Sequence, residues 1–144
     1  MFLSSGSSII NASSITTIIK SLSAADNSPV IVGLTREGKM LAMSNSDNFK
    51  VLDEAFSKKV IPKLSKASTL SVGDAYIDTH LIKEIFISPK TGDLLIISST
   101  ENLLYRIWSE DYSKLDALKD RLCEVLVAYD GKKPLPKINI DDYK

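Results

Sequence analysis

The sequence has only one cysteine and one histidine among its 144 residues, Cys123 and His80. A disulfide framework needs paired cysteines, and a structural zinc site usually needs several cysteine or histidine ligands. These two side chains cannot supply either feature within one chain. We therefore expect no metal site, no cofactor and no disulfide-stabilised secreted domain.

Net charge and long apolar stretches are also absent. The 18 Lys and Arg residues balance 18 Asp and Glu residues, whereas nucleic-acid-binding proteins usually carry a basic surface. No stretch has the apolar length of a membrane-spanning helix. The first residues, MFLSSGSSII, lack the basic start and apolar core of a secretory signal. We expect a cytosolic protein with no nucleic-acid partner and no direct membrane insertion. A neutral domain also has little net repulsion to oppose association.

Motifs that carry chemistry are scarce. TREGK (35–39) and PKTGD (89–93) contain Gly and Lys, but each joins two predicted strands, so no helix N-terminus follows to bind a phosphate. A catalytic dyad of His80 and Cys123 has no supporting motif, and we expect Cys123 to be a small buried side chain of the last helix. These observations favour an interaction module over an enzyme.

Three helices are predicted by apolar residues that recur every three or four positions. The first carries Ile15, Ile18, Ile19 and Leu22 and ends before Pro29. The second runs from about residue 52 to residue 67, with a break near Ile61 because Pro62 cannot continue a helix. The third starts between residues 109 and 113 and ends at residues 130–131. Its inner face is formed by Leu115, Leu118, Leu122, Val125, Leu126 and Tyr129.

Five strands are predicted between these helices. Residues 30–34 and 40–43 form a hairpin with Gly38 in its turn. The other three strands lie within residues 76–88, 94–99 and 103–108. No internal repeat is evident. The result is a mixed α/β (α+β) fold of order α-β-β-α-β-β-β-α in one domain, residues 12–130. Residues 1–11 are expected to be loose, and residues 131–144 to be an extended tail short of core residues.

Three segments carry a resemblance to a known family. They are VIVGLTREGKMLAMS, IFISPKTGDLLIISSTENLLYRIWS and KLDALKDRLCEVLVAY. In this order they resemble the first hairpin, the later strands and the closing helix of the roadblock family, which includes dynein light chains and Ragulator subunits. The resemblance implies a roadblock fold, a five-stranded antiparallel sheet between helices. Within the family, the segments are most similar to scaffold subunits of the Ragulator, or fungal EGO-type, complex.

The resemblance implies a non-enzymatic scaffold. Such a protein forms a heterodimer with another roadblock-fold subunit and docks Rag-family GTPases for TOR signalling. A lipid-anchored Ragulator or EGO subunit would hold it on the cytosolic face of the lysosome or vacuole. Two alternatives stay open within the same fold: a homodimeric dynein-type light chain, and a GTPase-regulating domain with GAP-like activity. A small-ligand sensor or enzyme is the least favoured alternative. It would need an apolar pocket with convergent polar groups, and the sequence does not indicate one.

The resemblance also implies where partners bind. Roadblock domains dimerise through the edge strand after the second helix, while the two second helices pack together. An exposed edge strand otherwise invites aggregation, because its backbone groups lack partners. Arg36, at the tip of the first hairpin, is the candidate GTPase contact. The implied partner interface comprises Leu52, Phe56, Lys59, Val60, Lys63, Leu81, Ile82, Lys83 and Ile85.

Overall fold

The computed structural model describes residues 1–23 and 25–144. Within these residues the chain is a mixed α/β protein with ten β-strands in antiparallel sheets and two α-helices. The predicted mixed class and antiparallel sheets are therefore confirmed. Each α-helix follows a group of five strands, so the chain consists of two halves with the same succession of elements.

The first half begins with a short hairpin and ends in a helical segment. Its elements are β1 (Phe2–Ser5), β2 (Ser8–Asn11), a 3-10 turn (Ala12–Ser14), β3 (Ile15–Leu22), β4 (Pro29–Thr35), β5 (Met40–Met43) and α1 (Phe49–Ala55). The helical path continues as a π turn at Phe56–Val60 and a 3-10 turn at Ile61–Lys63. The predicted break near Ile61 is confirmed, since Pro62 lies in this last turn and has no N–H to continue the helix.

The second half repeats this succession. Its elements are β6 (Thr69–Val72), β7 (Ala75–Asp78), a 3-10 turn (Thr79–Leu81), β8 (Ile82–Ile87), β9 (Leu94–Ser98), β10 (Leu103–Ile107) and α2 (Leu115–Val127). A final 3-10 turn covers Ile140–Tyr143. The single strand predicted within residues 76–88 is therefore divided by the 3-10 turn, which separates β7 from β8.

The halves repeat each other residue by residue. Leu3 lies opposite Ile10 in the β1–β2 hairpin, and the residues 67 positions later (70 and 77) face each other in the β6–β7 hairpin. The β3–β4 pairing is irregular between residues 15 and 17, and the β8–β9 pairing between residues 82 and 84, also 67 positions later. The expectation that the chain has no internal repeat was wrong.

The repeat is hidden in the sequence for a geometric reason. The β3–β4 hairpin is longer, because it includes the pairs Ser21–Val30 and Leu22–Pro29 and the β8–β9 hairpin ends at Ile87–Leu94. Equivalent residues are therefore 67 positions apart up to the turn of this hairpin and 63 positions apart after it. A search for a repeat of one fixed length does not detect such a pattern. The identical pairs in the first stretch are Leu3 and Leu70, Ser4 and Ser71, Gly6 and Gly73, Ile10 and Ile77, Ile15 and Ile82, and Ile18 and Ile85.

The predicted first helix is wrong, because Ile15–Leu22 form the strand β3. The irregular pairing around Thr16 shifts the alternation of side chains, so residues spaced by three and four positions also fit a bulged strand. Ile and Thr are branched at Cβ and favour strands over helices. The predicted order beginning with a helix is therefore incorrect, and residues 1–11, expected to be loose, form the β1–β2 hairpin.

The other local predictions agree with the structure, apart from the tail. The hairpin at 30–34 and 40–43, the strands at 94–99 and 103–108, and the last helix are confirmed within a few residues at each end. The tail is not short of core residues, because Ile138 and Ile140 are buried. Ile138 forms a parallel bridge with Val72 on the outer side of β6.

Each half has its own hydrophobic core. The first-half core is centred on Ile15, Ile18, Ile31, Leu52 and Phe56. The second-half core is centred on Leu70, Ile77, Leu94, Leu118 and Leu122. Burial of these apolar side chains provides the main driving force for folding of each half.

We predict that Phe56→Ala lowers the free energy of unfolding by about 3–5 kcal/mol, because it leaves a cavity in the first-half core. Urea unfolding measures this loss. Val51→Ala is the matched control, since Val51 lies one turn away on the same helical segment with 69% of its surface exposed. Equal effects of the two variants would contradict the described packing of this segment.

Candidate functional site

The two halves are joined where β7 of the second half pairs with β3 of the first half. Ile18 lies opposite Tyr76, and Ile19 lies opposite Ala75. This joint converts the three strands of the first half and the β6–β7 hairpin into one five-stranded sheet of order β5-β4-β3-β7-β6. One edge of β3 is therefore completed by a hairpin that belongs to the other half.

Hydrogen bonds fix the register of the joint. The Lys20 N–H donates to the Asp74 carbonyl over 3.0 Å. The Asp78 N–H donates to Thr17 Oγ1 over 2.9 Å, and this contact is buried. Because a buried N–H without an acceptor would be costly, the Thr17 hydroxyl helps to define where the hairpin docks.

The side chains at the joint cross into the opposite core. Ile19 belongs to the first half but packs within the second-half core. Tyr76 belongs to the second half but packs against the first-half core. The joint is therefore a reciprocal exchange of side chains as well as a pairing of backbones.

The strand β8 occupies the same place in the second half that β3 occupies in the first. β8 pairs with β9 on one side and is the edge strand of the three-stranded sheet β10-β9-β8. We call its unpaired side, along Ile82–Ile87, the β8 edge. Ile82, Ile85 and Ile87 are half-buried against the second-half core. The β8 edge thus offers unpaired backbone groups beside apolar side chains.

The strand β2 is likewise unpaired on one side. Among residues 1–23 and 25–144 it pairs only with β1, in a separate two-stranded sheet. We call the unpaired side of Ser8–Asn11 the β2 edge. Ile9, on this strand, has 78% of its surface exposed, and Phe2 on β1 is also exposed. Tyr76, the residue equivalent to Ile9, is covered because its hairpin is docked.

The edge-strand part of the predicted partner interface lies together on or beside β8. Ile82 and Ile85 are half-buried, and Lys83 is exposed and pairs with Glu101 over 2.5 Å. Leu81 is an exception, because its side chain is buried in the second-half core just before β8 begins. The strand predicted within residues 76–88 was expected to be a sheet edge. Its second part, β8, is an edge strand, whereas its first part, β7, is paired on both sides. That partners bind at residues 81–85 stays a prediction.

The helical part of the predicted interface lies elsewhere. Leu52, Phe56 and Val60 are all buried in the first-half core. The expectation that these three side chains also contact a partner is wrong, because they are buried within the chain itself. Lys59 and Lys63 are exposed, but they belong to the first half, whereas the β8 edge belongs to the second.

Arg36 lies in the exposed turn between β4 and β5. Gly38 closes this turn with a φ of 82°, a conformation that glycine adopts without strain. The guanidinium group therefore lies at the tip of a well-defined hairpin. Its contact with a GTPase stays a prediction.

His80 and Cys123 do not form a dyad. No hydrogen bond joins their side chains in the described structure, and Cys123 is exposed rather than buried as expected. His80 Nδ1 lies 2.8 Å from Asp78 Oδ1, which also accepts the His80 N–H over 3.0 Å. In the first half the Asn11 side chain accepts the Ser13 N–H in the same way, so the Asp78 carboxylate acts as a structural cap of the 3-10 turn.

Asp93, which is not among the predicted site residues, has the most strongly shifted pKa of the carboxyl groups in the described residues. The backbone N–H of Ser109 holds the pKa of Asp93 at about 2, below its ordinary value of 3.8, with Arg106 and Thr91 adding to the effect against the opposing cost of burial. The Ser109 N–H lies 2.6 Å from the carboxylate and Arg106 Nε lies 2.9 Å from it. Arg106 also stacks on Trp108, 3.9 Å from the ring centroid. This cluster ties the β8–β9 turn to the end of β10.

A cleft with a volume of about 480 Å³ lies between the β6–β7 turn and the C-terminal tail. Its lining includes Asp74, Lys137 and Asp141, so charges of both signs face it. It is open and mostly polar, unlike the enclosed apolar pockets that bind small molecules tightly. Among residues 1–23 and 25–144, no group of three or more His, Cys, Asp or Glu residues could hold a metal ion.

No family model, curated protein or solved structure matches this chain. The described helices also include none with the length and apolar character needed to cross a membrane.

We predict that the stability of the protein depends on the ionisation of Asp93. Because the folded-state pKa lies below 3.8, this group stabilises the fold above about pH 4 and loses that contribution as the pH falls towards 2. Protonation of Asp93 should lower the free energy of unfolding of the wild type by about 2 kcal/mol between about pH 4 and pH 2. Urea unfolding at several pH values measures it.

Asp93→Asn provides the comparison for this prediction. The variant should be less stable by about 1–3 kcal/mol at pH 7, because a buried hydrogen-bonded charge is lost. Its difference from wild type should shrink as the pH approaches 2. Asp47→Asn, at an exposed position, serves as the control. A constant difference between wild type and Asp93→Asn at every pH would contradict the assignment.

Proposed function

We propose that this chain is a non-enzymatic scaffold subunit that recruits protein partners by strand addition at the β8 edge. The observation that carries the proposal is the contrast between β3 and β8. The two strands are equivalent, yet β3 has a strand on each side and β8 has a strand on only one side. A partner strand at the β8 edge would complete the second half as β7 completes the first.

The physical chemistry of the β8 edge supports this proposal. An unpaired strand presents a row of backbone donors and acceptors, and main-chain hydrogen bonds to an added strand provide affinity. Ile82, Ile85 and Ile87 lie half-buried beside this row, so an added strand would also remove apolar surface from water. The exposed charges of Lys83 and Glu84 oppose indiscriminate pairing, as charged side chains on edge strands commonly do.

The narrower form of the proposal rests on the resemblance of the sequence to the roadblock family. In that form the partner is another roadblock-fold subunit, and the pair docks Rag-family GTPases for TOR signalling at the lysosome or vacuole. The position of residues 82–85 on a sheet edge supports it. The strand at Ile15–Leu22, where the roadblock order has a helix, counts against it.

The exposed position of Arg36 favours one alternative, a GTPase-regulating role. Its tip position on the β4–β5 hairpin would allow the guanidinium to reach a GTPase. Unchanged GTP turnover of a bound GTPase after Arg36→Ala would exclude this alternative and leave the scaffold proposal intact.

We predict that Ile87→Pro abolishes recruitment of strand-adding partners. Lys20, the residue equivalent to Ile87, directs its N–H across the joint, so the Ile87 N–H should face the β8 edge. Proline removes this donor and is tolerated where the missing N–H faces away from the sheet. The measurement is affinity purification of the tagged full chain from its source cells, with identification of the bound proteins.

Val51→Asp is the control for this experiment, because Val51 is an exposed apolar residue distant in the sequence from β8. The control should retain the partners that the Ile87→Pro variant loses, while thermal unfolding shows both variants to be folded. If folded Ile87→Pro retains every partner, strand addition at the β8 edge is not the mode of recruitment. Recovery of a roadblock-fold subunit and Rag-family GTPases would support the narrower form.

A further inference from the structure

The β2 edge and the β8 edge are the two components of a joint that is not formed within one chain. In the joint between the halves, β3 provides the accepting strand and β7 provides the docking hairpin. β8 is equivalent to β3, and β2 is equivalent to β7. One chain therefore carries one complete joint and both components of another.

We propose that the β8 edge binds the β1–β2 hairpin of a second copy of this chain. Ile85 of one copy would lie opposite Ile9 of the other, and Phe86 would lie opposite Ser8. The inference rests on the proposed function, because it names the partner that adds a strand at the same β8 edge.

The register follows from the repeat. Ile18 and Tyr76 face each other in the joint, and a shift of 67 positions converts them into Ile85 and residue 9. The hydrogen bonds transfer in the same way. The Ile87 N–H would donate to the Ser7 carbonyl, as the Lys20 N–H donates to the carbonyl of residue 74.

A further hydrogen bond distinguishes this contact from the joint within the chain. Thr17 Oγ1 accepts the Asp78 N–H, and the equivalent residues are Glu84 and Asn11. The Glu84 carboxylate of one copy would therefore accept the Asn11 N–H of the other. A hydrogen bond to an ionised acceptor is stronger than one to a hydroxyl. This hydrogen bond would offset part of the cost of covering the Glu84 carboxylate, which is exposed in the single chain.

The side chains at the two edges match the reciprocal exchange seen at the joint. Tyr76 packs against the core of the half that accepts its hairpin, and the equivalent Ile9 is 78% exposed in the single chain. Ile19 packs into the core of the half that supplies the hairpin, and its equivalent Phe86 is only half-buried. Ile9 and Phe86 would each pack against the hydrophobic core of the neighbouring copy.

Size and charge are compatible with this contact. Ala75 is fully buried at the joint, and its equivalent Ser8 is similarly small, so the second joint can be as close as the first. Ser7, Ser8 and Ile9 carry no charge. The formal net charge of the chain is zero, so copies experience little overall electrostatic repulsion.

The contact uses a different surface on each copy. Such a heterologous contact leaves one free edge of each kind at the ends, so copies add head to tail until a ring closes or a filament grows. A symmetric dimer would instead bury the same surface on both copies. This difference provides a direct test.

The test uses sedimentation velocity of the full chain and of two variants that each block one edge. Ile9→Asp places a charge on the docking hairpin, and Phe86→Asp places one on the accepting strand. Wild type should form species larger than the 15.8 kDa monomer, and each variant alone should be monomeric. Val127→Asp, a change at an α2 residue with 80% exposure, should assemble like wild type.

Mixing the two variants gives the decisive result. The Ile9→Asp copy retains an intact β8 edge and the Phe86→Asp copy retains an intact β2 edge, so the mixture should form a dimer of twice the monomer mass that does not grow further. Should Phe86→Asp lower the melting temperature, Ile87→Pro replaces it in the mixture. A mixture that stays monomeric, or an Ile9→Asp variant that still assembles, overturns the proposal.

The outcome for self-assembly is separable from the outcome for the proposed function. A wild-type chain that is still monomeric at about 100 μM, where a contact with a Kd of about 100 μM would be well populated, overturns pairing between copies. If folded Ile87→Pro then still loses partners in the affinity purification, strand addition by a different protein stands. Retention of all other partners by folded Ile87→Pro contradicts strand addition by a different protein at the β8 edge. It does not bear on pairing between copies, because the variant keeps its β2 edge, and that inference is decided by the sedimentation experiment.

Discussion

The antiparallel pairing of β3 with β7 is the contact on which the rest of the structure depends. It connects two repeated halves that otherwise have separate cores, and it does so by exchanging Ile19 and Tyr76 between those cores. The same pairing makes the halves unequal. The accepting strand of the first half is completed, whereas that of the second half remains an edge. Both the scaffold proposal and the assembly proposal arise from this inequality.

Local sequence patterns predicted the elements whose stability is local. The β4–β5 hairpin has a glycine where its turn requires a positive φ, and α2 has a long apolar stripe. The strand β3 was mistaken for a helix because a bulge near Thr16 permits a helix-like spacing of isoleucines. What selects the strand is pairing with β4 on one side and with β7 on the other, and that second partner lies more than 50 residues away.

The sequence predicted only part of the candidate site, because local patterns do not show which strands and side chains meet in the fold. The predicted edge strand within residues 76–88 is an edge only in its second part, β8, because β7 pairs with β3 and β6. The apolar stripe of Leu52, Phe56 and Val60 could not be assigned to core or partner from spacing alone, and the structure buries all three. The β2 edge was missed because the segment MFLSSGSSIIN is rich in serine and its hairpin signal is weak. Comparison with residues 69–78, at an offset of 67, was the signal that could have revealed it.

The position of β7 in the chain has a consequence for synthesis. A ribosome releases the chain from its N-terminus, so β3 emerges well before the residues of β7 that complete its second edge. During that interval the first half displays an open strand equivalent to the β8 edge. Nascent chains on neighbouring ribosomes would then carry matching hairpins and open strands at the same time. Docking of residues 69–78 on β3 would end this interval by closing the strand within its own chain.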